Sequence, residues 1–368
     1  MSGFLRQTLR NVTGYVPGEQ LDRPGIIKLN TNENPYPPSS KACAALATVS
    51  PEMLRRYPNP TARAFREAAA AVHGLSPDHI IATNGGDELL RLIFATFAEA
   101  GDRIVSTDPT YSLYPVLAAL EGLRFEAHAL DNTYNLDPQA FLRFACGEQP
   151  NQGPATIALI VSPHAPSGML FTEAQLTTIA QGFPGLLVVD EAYVDFIAPE
   201  IGHNLLPCAQ TLPNLILLRS LSKGYGLAGL RFGYGIGHPD LIADMTGLTK
   251  DSYNTDVIAQ ALAEAALRDQ GYAMDTWQRV RAEREYLRSE LSALGCRVYP
   301  SQTNFLLAEL PPLANGNSRA ATAYAALKQA GILVRYFDTP RLVHALRITL
   351  GTPEQNAALL RQLKPLLT

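Results

Sequence analysis

The chain has 368 residues, 46% of them apolar, with 30 basic and 34 acidic side chains and a formal charge of −4 at pH 7. That length exceeds one ordinary hydrophobic core and predicts a large domain with a smaller companion. The charge balance excludes a globally basic nucleic-acid or membrane binder, and four scattered cysteines exclude a disulfide scaffold or a short-spaced metal cluster.

Met1 to Arg6 lacks the apolar core of a signal peptide, and no apolar run reaches the roughly 18 residues of a membrane span. A cytoplasmic protein with free thiols is expected. Gly14, Pro17, Gly18, Pro24 and Gly25 make residues 1–30 an arm, and Pro35, Pro37 and Pro38 keep the next stretch out of a helix. Apolar residues at helical spacing predict helices over 61–73 and 87–98. Short strands follow at 103–106 and 124–130, with a helix beginning at Tyr114 between them. Residues 156–161, 186–189 and 215–218 are nearly all apolar, as strands buried on both faces should be, and 173–181 suits a crossover helix. The rhythm predicts an α/β domain with a mostly parallel sheet between helices.

Near residue 255 the pattern changes to long helices over 255–268 and 272–294. Strands follow near 303–309, 332–336 and 344–350, with helices at 319–330 and 353–365 and a loop at 311–317. The expected division is therefore a 1–30 arm touching the small domain and a dimer contact, a 31–255 large domain and a 256–368 α+β small domain.

Candidate chemistry gathers at strand ends. Lys223 follows an apolar run within Ser220-Leu221-Ser222-Lys223-Gly224, and Asp190 closes the apolar run that precedes it. A lysine able to bond an aldehyde and a carboxylate able to hold a ring nitrogen protonated are what pyridoxal chemistry asks of a protein. Ser220, Ser222 and Arg231 are donors suited to a phosphate, and Gly85-Gly86-Asp87 forms a glycine turn into a helix start, where free N–H groups attract anions. Tyr193 is placed to donate to a ring oxygen, and Tyr111 to stack on a ring face. Arg335 and Arg347 stand inside apolar runs, so each needs either an internal acid or a bound anion.

These segments, together with Gly14-Tyr15-Val16-Pro17-Gly18, Asn30-Thr31-Asn32-Glu33-Asn34-Pro35, Arg56-Tyr57-Pro58, Asp108-Pro109-Thr110-Tyr111 and Leu346-Arg347-Ile348-Thr349, occur in a specific order. In that order the chain resembles the fold-type-I pyridoxal-phosphate aminotransferases, most closely the members that act on histidinol phosphate. The resemblance implies a homodimer in which Lys223 carries pyridoxal 5'-phosphate and Asp190 meets its ring nitrogen. Tyr193 meets the ring oxygen, Tyr111 the ring face, and Gly86, Asp87, Ser220, Ser222 and Arg231 the phosphate. Tyr57 is implied to reach the partner subunit's cofactor and Tyr15 the partner's substrate pocket. Asn32, Arg335 and Arg347 are implied at the substrates, histidinol phosphate and glutamate or 2-oxoglutarate, with no metal.

One segment departs from that pattern. Ser162-Pro163-His164-Ala165-Pro166-Ser167-Gly168 lacks the asparagine that relatives direct at the ring oxygen, so His164 either donates in its place or only borders the site. An aromatic amino-acid aminotransferase, a threonine-phosphate decarboxylase of the same build and a non-catalytic pyridoxal-binding regulator remain as alternatives.

Overall fold

The computed structural model describes residues 4–10, 12–21, 24–147, 152–313 and 318–367. Residues 314–317 of the expected 311–317 loop lie outside these.

β1 (Ile27–Lys28) comes first, followed by β2 (Ile80–Thr83), β3 (Arg103–Asp108), β4 (Arg124–Ala129), β5 (Ile157–Val161), β6 (Leu186–Asp190), β7 (Leu215–Ser220) and β8 (Gly233–Gly237). Strands β2 to β8 form a seven-stranded sheet in the order β2-β8-β7-β6-β5-β3-β4. All neighbours are parallel except β8, which runs antiparallel to both β2 and β7. Every residue of β5 and β6 is buried, because helices cover both faces and leave no side to be polar. The crossover helix Glu173–Gly182 starts at a capping box, where Thr172 and Gln175 satisfy each other's free N–H groups.

β9 (Arg297–Val298), β10 (Phe305–Glu309), β11 (Ile332–Leu333), β12 (Arg335–Tyr336) and β13 (Ala345–Thr349) belong to the carboxy-terminal part. There an antiparallel sheet runs in the order β12-β13-β10-β9. The single strand expected over 332–336 is in fact two. β11 pairs with β1 of the arm, and beyond buried Val334 the chain turns to pair β12 with β13.

Just beyond the boundary expected at 255, helix Val257–Arg268 packs Ala259, Ala263 and Ala266 into a core shared with Phe65, Ala68 and Ala69 of helix Arg63–His73. Helix Gln270–Ala293 then leads into the smaller sheet. Among the described residues no helix is long and apolar enough to cross a membrane.

β8 was not foreseen, because glycine alternates with Tyr234 and Ile236 and no apolar run forms. Its glycines answer to crowding. A Cβ on Gly233 would lie 2.8 Å from both Gly85 C and Gly86 N, so only glycine lets β8 support the turn that opens helix Gly86–Phe97.

Candidate active site

The carboxyl ends of β3, β6 and β7, the start of helix Gly86–Phe97, the arm and the β12–β13 pair enclose a cleft of about 620 Å³. Such sheet ends are where open α/β folds present ligand sites.

Lys223 follows β7 in a turn set by the Ser222 N–H donating to Ser220 Oγ at 3.1 Å. Its amine donates to Thr31 O at 3.0 Å, and among the described residues no acid pairs with it. Burial pulls its pKa down to about 8, helped by Arg347 and Arg231 and opposed by Glu33 and Asp87. A large fraction of the amine is therefore unprotonated, and nucleophilic, slightly above neutral pH.

Asp190 is buried at the end of β6. Tyr114 donates its hydroxyl to Oδ2 at 2.9 Å, and the Ala192 N–H donates to Oδ1 at 3.1 Å. Burial outweighs both bonds and raises the carboxyl to about 6. Among the described residues no cation pairs with it. A lysine without an acid and an acid without a cation thus face one cleft, unpaired with each other. Groups left in that condition mark functional sites.

The glycine turn completes a cradle. Gly85 has φ +83°, and a Cβ there would come 2.9 Å from Arg231 Nη2. Arg231 itself sits in the left-handed region at φ 58° and holds its guanidinium 3.5 Å from Asp87 Oδ2. Helix N–H groups, Ser220, Ser222 and Arg231 therefore offer donors around one end of the cleft.

The walls are aromatic and cationic. Tyr111 meets Tyr114 edge-on at 5.5 Å, and burial keeps its phenol neutral by raising its pKa far above the usual range. Tyr193 accepts from Asn32 Nδ2 at 2.9 Å, and its ring packs edge-on against Phe305. Arg335 and Arg347 stand opposite each other on β12 and β13. Among the described residues neither forms the internal salt bridge that was one of the two expectations. Arg347 Nη2 donates to Asn30 O at 3.0 Å, and its buried Nε has no partner among the described residues. Two adjacent guanidinium groups without an acid form an anion site.

One expectation is corrected, and a second residue takes a place within its own chain. His164 does not line the cleft. Its Nε2 donates to Pro109 O at 2.9 Å, which leaves Nδ1 to accept from Ser167 Oγ at 2.7 Å. Burial depresses its pKa to about 4, so the ring is neutral and has no hydrogen left for a ligand. Tyr15, expected in the partner's pocket, lies in the cleft of its own chain, 5.9 Å edge-on from Tyr111. The arm is tied down locally: Arg6 donates to Leu120 O, and Glu19 pairs with Lys328. Tyr57 lies outside its own cleft, 80% exposed and stacked on Tyr253 at 4.4 Å.

Three contributors escaped sequence reading. Tyr114 marks only a helix start in the sequence, yet its hydroxyl reaches Asp190. Asn30 contributes a backbone oxygen. Arg341 donates to Asp108 O, Leu130 O and Asp131 O and so closes the far end of the cleft. None of these contacts leaves a local signal.

Pyridoxal phosphate, the group implied by the resemblance, carries a phosphate, a basic ring nitrogen and an aldehyde. The cradle, the unpaired Asp190 and the depressed Lys223 match those three in kind, with Tyr111 available to the ring face. The residues present fit the group.

Comparison with known proteins agrees. Residues 24–363 match the family described as aminotransferase class I and II. Histidinol-phosphate aminotransferase 1 of Trichormus variabilis is 43% identical, with all of both chains covered. Histidinol-phosphate aminotransferase of Citrifermentans bemidjiense is 39% identical over 98% of this chain and 99% of its own. The crystal structure of histidinol-phosphate aminotransferase from Sinorhizobium meliloti, in complex with pyridoxal-5'-phosphate, superposes with a TM-score of 0.88 at 24% identity. It covers 100% of this chain and 98% of that one, and it shows the common fold. On the family match and the end-to-end identity, the chain belongs to the class I and II aminotransferases, in the branch of the histidinol-phosphate aminotransferases.

Proposed function

We propose that the protein transaminates L-histidinol phosphate with 2-oxoglutarate through pyridoxal 5'-phosphate, giving imidazole acetol phosphate and L-glutamate, and runs toward histidinol phosphate in histidine biosynthesis. The observation that carries this reading is the uncompensated pair, Lys223 and Asp190, in one cleft beside an anion cradle. When bound, the cofactor supplies an aldehyde for the substrate amine and a ring that draws electrons from the substrate Cα.

Lys223 Nζ would act as the base that takes the proton from the substrate Cα and holds it for return. Asp190 holds positive charge on the ring nitrogen. Arg347 receives the carboxylate of glutamate through its unused Nε, and Arg335 joins it on the phosphate of histidinol phosphate. Burial of both reacting groups keeps water from the transferred proton. Paired arginines favour a phosphorylated substrate over a plain aromatic amino acid.

The same proposal includes a cytoplasmic homodimer. Leu54, Tyr57, Leu248 and Tyr253 are exposed large apolar side chains, a surface suited to a second copy, and all four cysteines are free thiols. Sedimentation analysis that found only a monomer at micromolar concentration would remove the dimer.

The decisive test of activity is spectrophotometric. Glutamate should bleach the visible band of the holoprotein and imidazole acetol phosphate should restore it. Histidinol phosphate should bleach it far faster than phenylalanine. Equal rates favour the aromatic aminotransferase, carbon dioxide release the decarboxylase, and no bleaching by any amine defeats the reading.

A further inference from the structure

We propose that Thr349 is a positioning residue for this reaction: acting through Asn32, it fixes the Tyr193 hydroxyl as a hydrogen-bond donor into the cleft. The proposal rests on the functional reading above and assigns a role to a residue that lies behind the cleft wall.

The argument is one of hydrogen-bond direction. Thr349, Asn32 and Tyr193 are all buried. The Asn32 N–H donates to Thr349 Oγ1 at 3.0 Å, so the threonine hydroxyl is free to donate, and it stands 3.0 Å from Asn32 Oδ1. With its oxygen taken, the Asn32 side chain turns its NH₂ group toward Tyr193, 2.9 Å from the phenol oxygen. Tyr193 must then accept. Its own proton is left without an acceptor among the described residues and is available to the cleft.

The reversed amide is worse on two counts. It would leave the Thr349 hydroxyl proton buried and unpaired, and it would make Tyr193 donate to Asn32 instead of to a ligand. Asn32 is also held in the left-handed region at φ 56°, with its carbonyl accepting from Asn304 Nδ2 at 2.9 Å. The surroundings therefore impose its orientation.

This matters because His164 has no hydrogen to offer, while Tyr193 lies beside the lysine, its ring centre 5.9 Å from Lys223 Nζ. A donor to the cofactor's ring oxygen stabilises negative charge there and favours loss of the proton from the adjoining Lys223 nitrogen. The pH midpoint of the visible band of the lysine-bound cofactor reports that balance directly. The charged groups around the pair are Arg347, Arg231, Glu33, Asp87 and Asp190, and the variants below leave all of them in place.

The experiment titrates that band from pH 5 to 10 in the holoenzyme and in Thr349→Val, Thr349→Ser, Tyr193→Phe, Tyr193→Phe/Thr349→Val and Asn32→Gly. Thr349→Val and Asn32→Gly should raise the midpoint by about 0.5 to 1 unit. Glycine adopts the positive φ at 32 without strain, so that variant probes the link even where Thr349→Val fails to fold. Thr349→Ser should restore the wild-type midpoint. The double variant should match Tyr193→Phe, since a shift relayed through Tyr193 vanishes without it. Unmoved midpoints in the folded variants, or a double variant shifted well beyond Tyr193→Phe, would overturn the role of Thr349. A wild-type protein with no lysine-dependent band would instead defeat the functional reading, and this proposal with it.

Discussion

Asp190 and Glu191 are adjacent carboxylates at the end of β6, yet they face opposite sides of the sheet and opposite fates. Asp190 looks into the cleft, accepts two hydrogen bonds from neutral donors and has no cation among the described residues, so burial raises it to about 6. Glu191 looks to the closed side. Burial pushes it upward too, but Arg219, whose Nε lies 2.7 Å away, and His203 outweigh that and hold it below the usual range. The difference teaches that a buried charge paired within the chain is architecture, whereas one left unpaired in a cavity awaits a ligand.

The largest expected effect falls on the cleft side. Lys223→Ala should cut turnover by about 10³-fold or more, the scale of losing a proton-transferring group, with little change in melting temperature. Next comes a crossed pair. Asp190→Asn should lower kcat by about 10²-fold while leaving cofactor-free protein as stable or more so. Glu191→Gln should leave kcat within about threefold but destabilise by about 3–5 kcal/mol, because Arg219 is left buried and uncompensated. Steady-state kinetics and urea melts on both variants measure the crossing. Equal losses of activity and stability in the two would erase the distinction between the faces.

The same contrast predicts opposite pH dependences. The folded pKa of Asp190 lies above its ordinary value of 3.8, so between 3.8 and about 6 the folded state binds more protons than the unfolded. Its ionisation therefore costs stability as pH rises through that window, by about 3 kcal/mol in full. Asp190→Asn should stabilise cofactor-free protein at pH 7, and the gain should fade as pH falls toward 4. Glu191 has a folded pKa below its ordinary 4.5, so its contribution is fully present above that value and is lost as pH falls below it. Urea melts of each variant between pH 4 and 8 check both signs.

Much of this was legible because the chemistry sits at the ends of buried strands. Asp190 and Lys223 follow apolar runs that can only be interior, and a polar group placed there announces itself. What stayed hidden depends on contacts distant in sequence. β8 exists because Gly233 must lie under the Gly85–Gly86 turn, a crowding that no local pattern records. The split at Val334 arises because the arm offers β1 as a second partner. His164 was misplaced because a loop sequence does not say which side chains turn inward. Here the carbonyl of Pro109, fifty-five residues earlier, accepts its Nε2–H.

That correction carries a smaller prediction. His164→Ala removes two buried hydrogen bonds and should cost about 1–3 kcal/mol of stability, while the cofactor dissociation constant should change by less than about threefold. A tenfold weaker cofactor, measured by fluorescence titration of the cofactor-free protein, would return the imidazole to the cleft.

The smallest effect tests whether the arm serves its own chain. Tyr15 packs on Tyr111, with Arg6 and Glu19 anchored on the same chain. Tyr15→Ala should lower kcat/KM by about tenfold, corresponding to one wall contact of about 1.4 kcal/mol. Hybrid dimers joining a Lys223→Ala chain to a Tyr15→Ala chain then separate the two arrangements. If each Tyr15 lines its own cleft, the only site that keeps Lys223 also carries the alanine at 15, and hybrids fall to about half the level of the single Tyr15→Ala variant. If the arm crossed to the neighbour, that site would receive an intact Tyr15 from the Lys223→Ala chain, and differentially tagged hybrids would recover about half of wild-type activity, one sound site in two. The local anchors of the arm predict the first outcome.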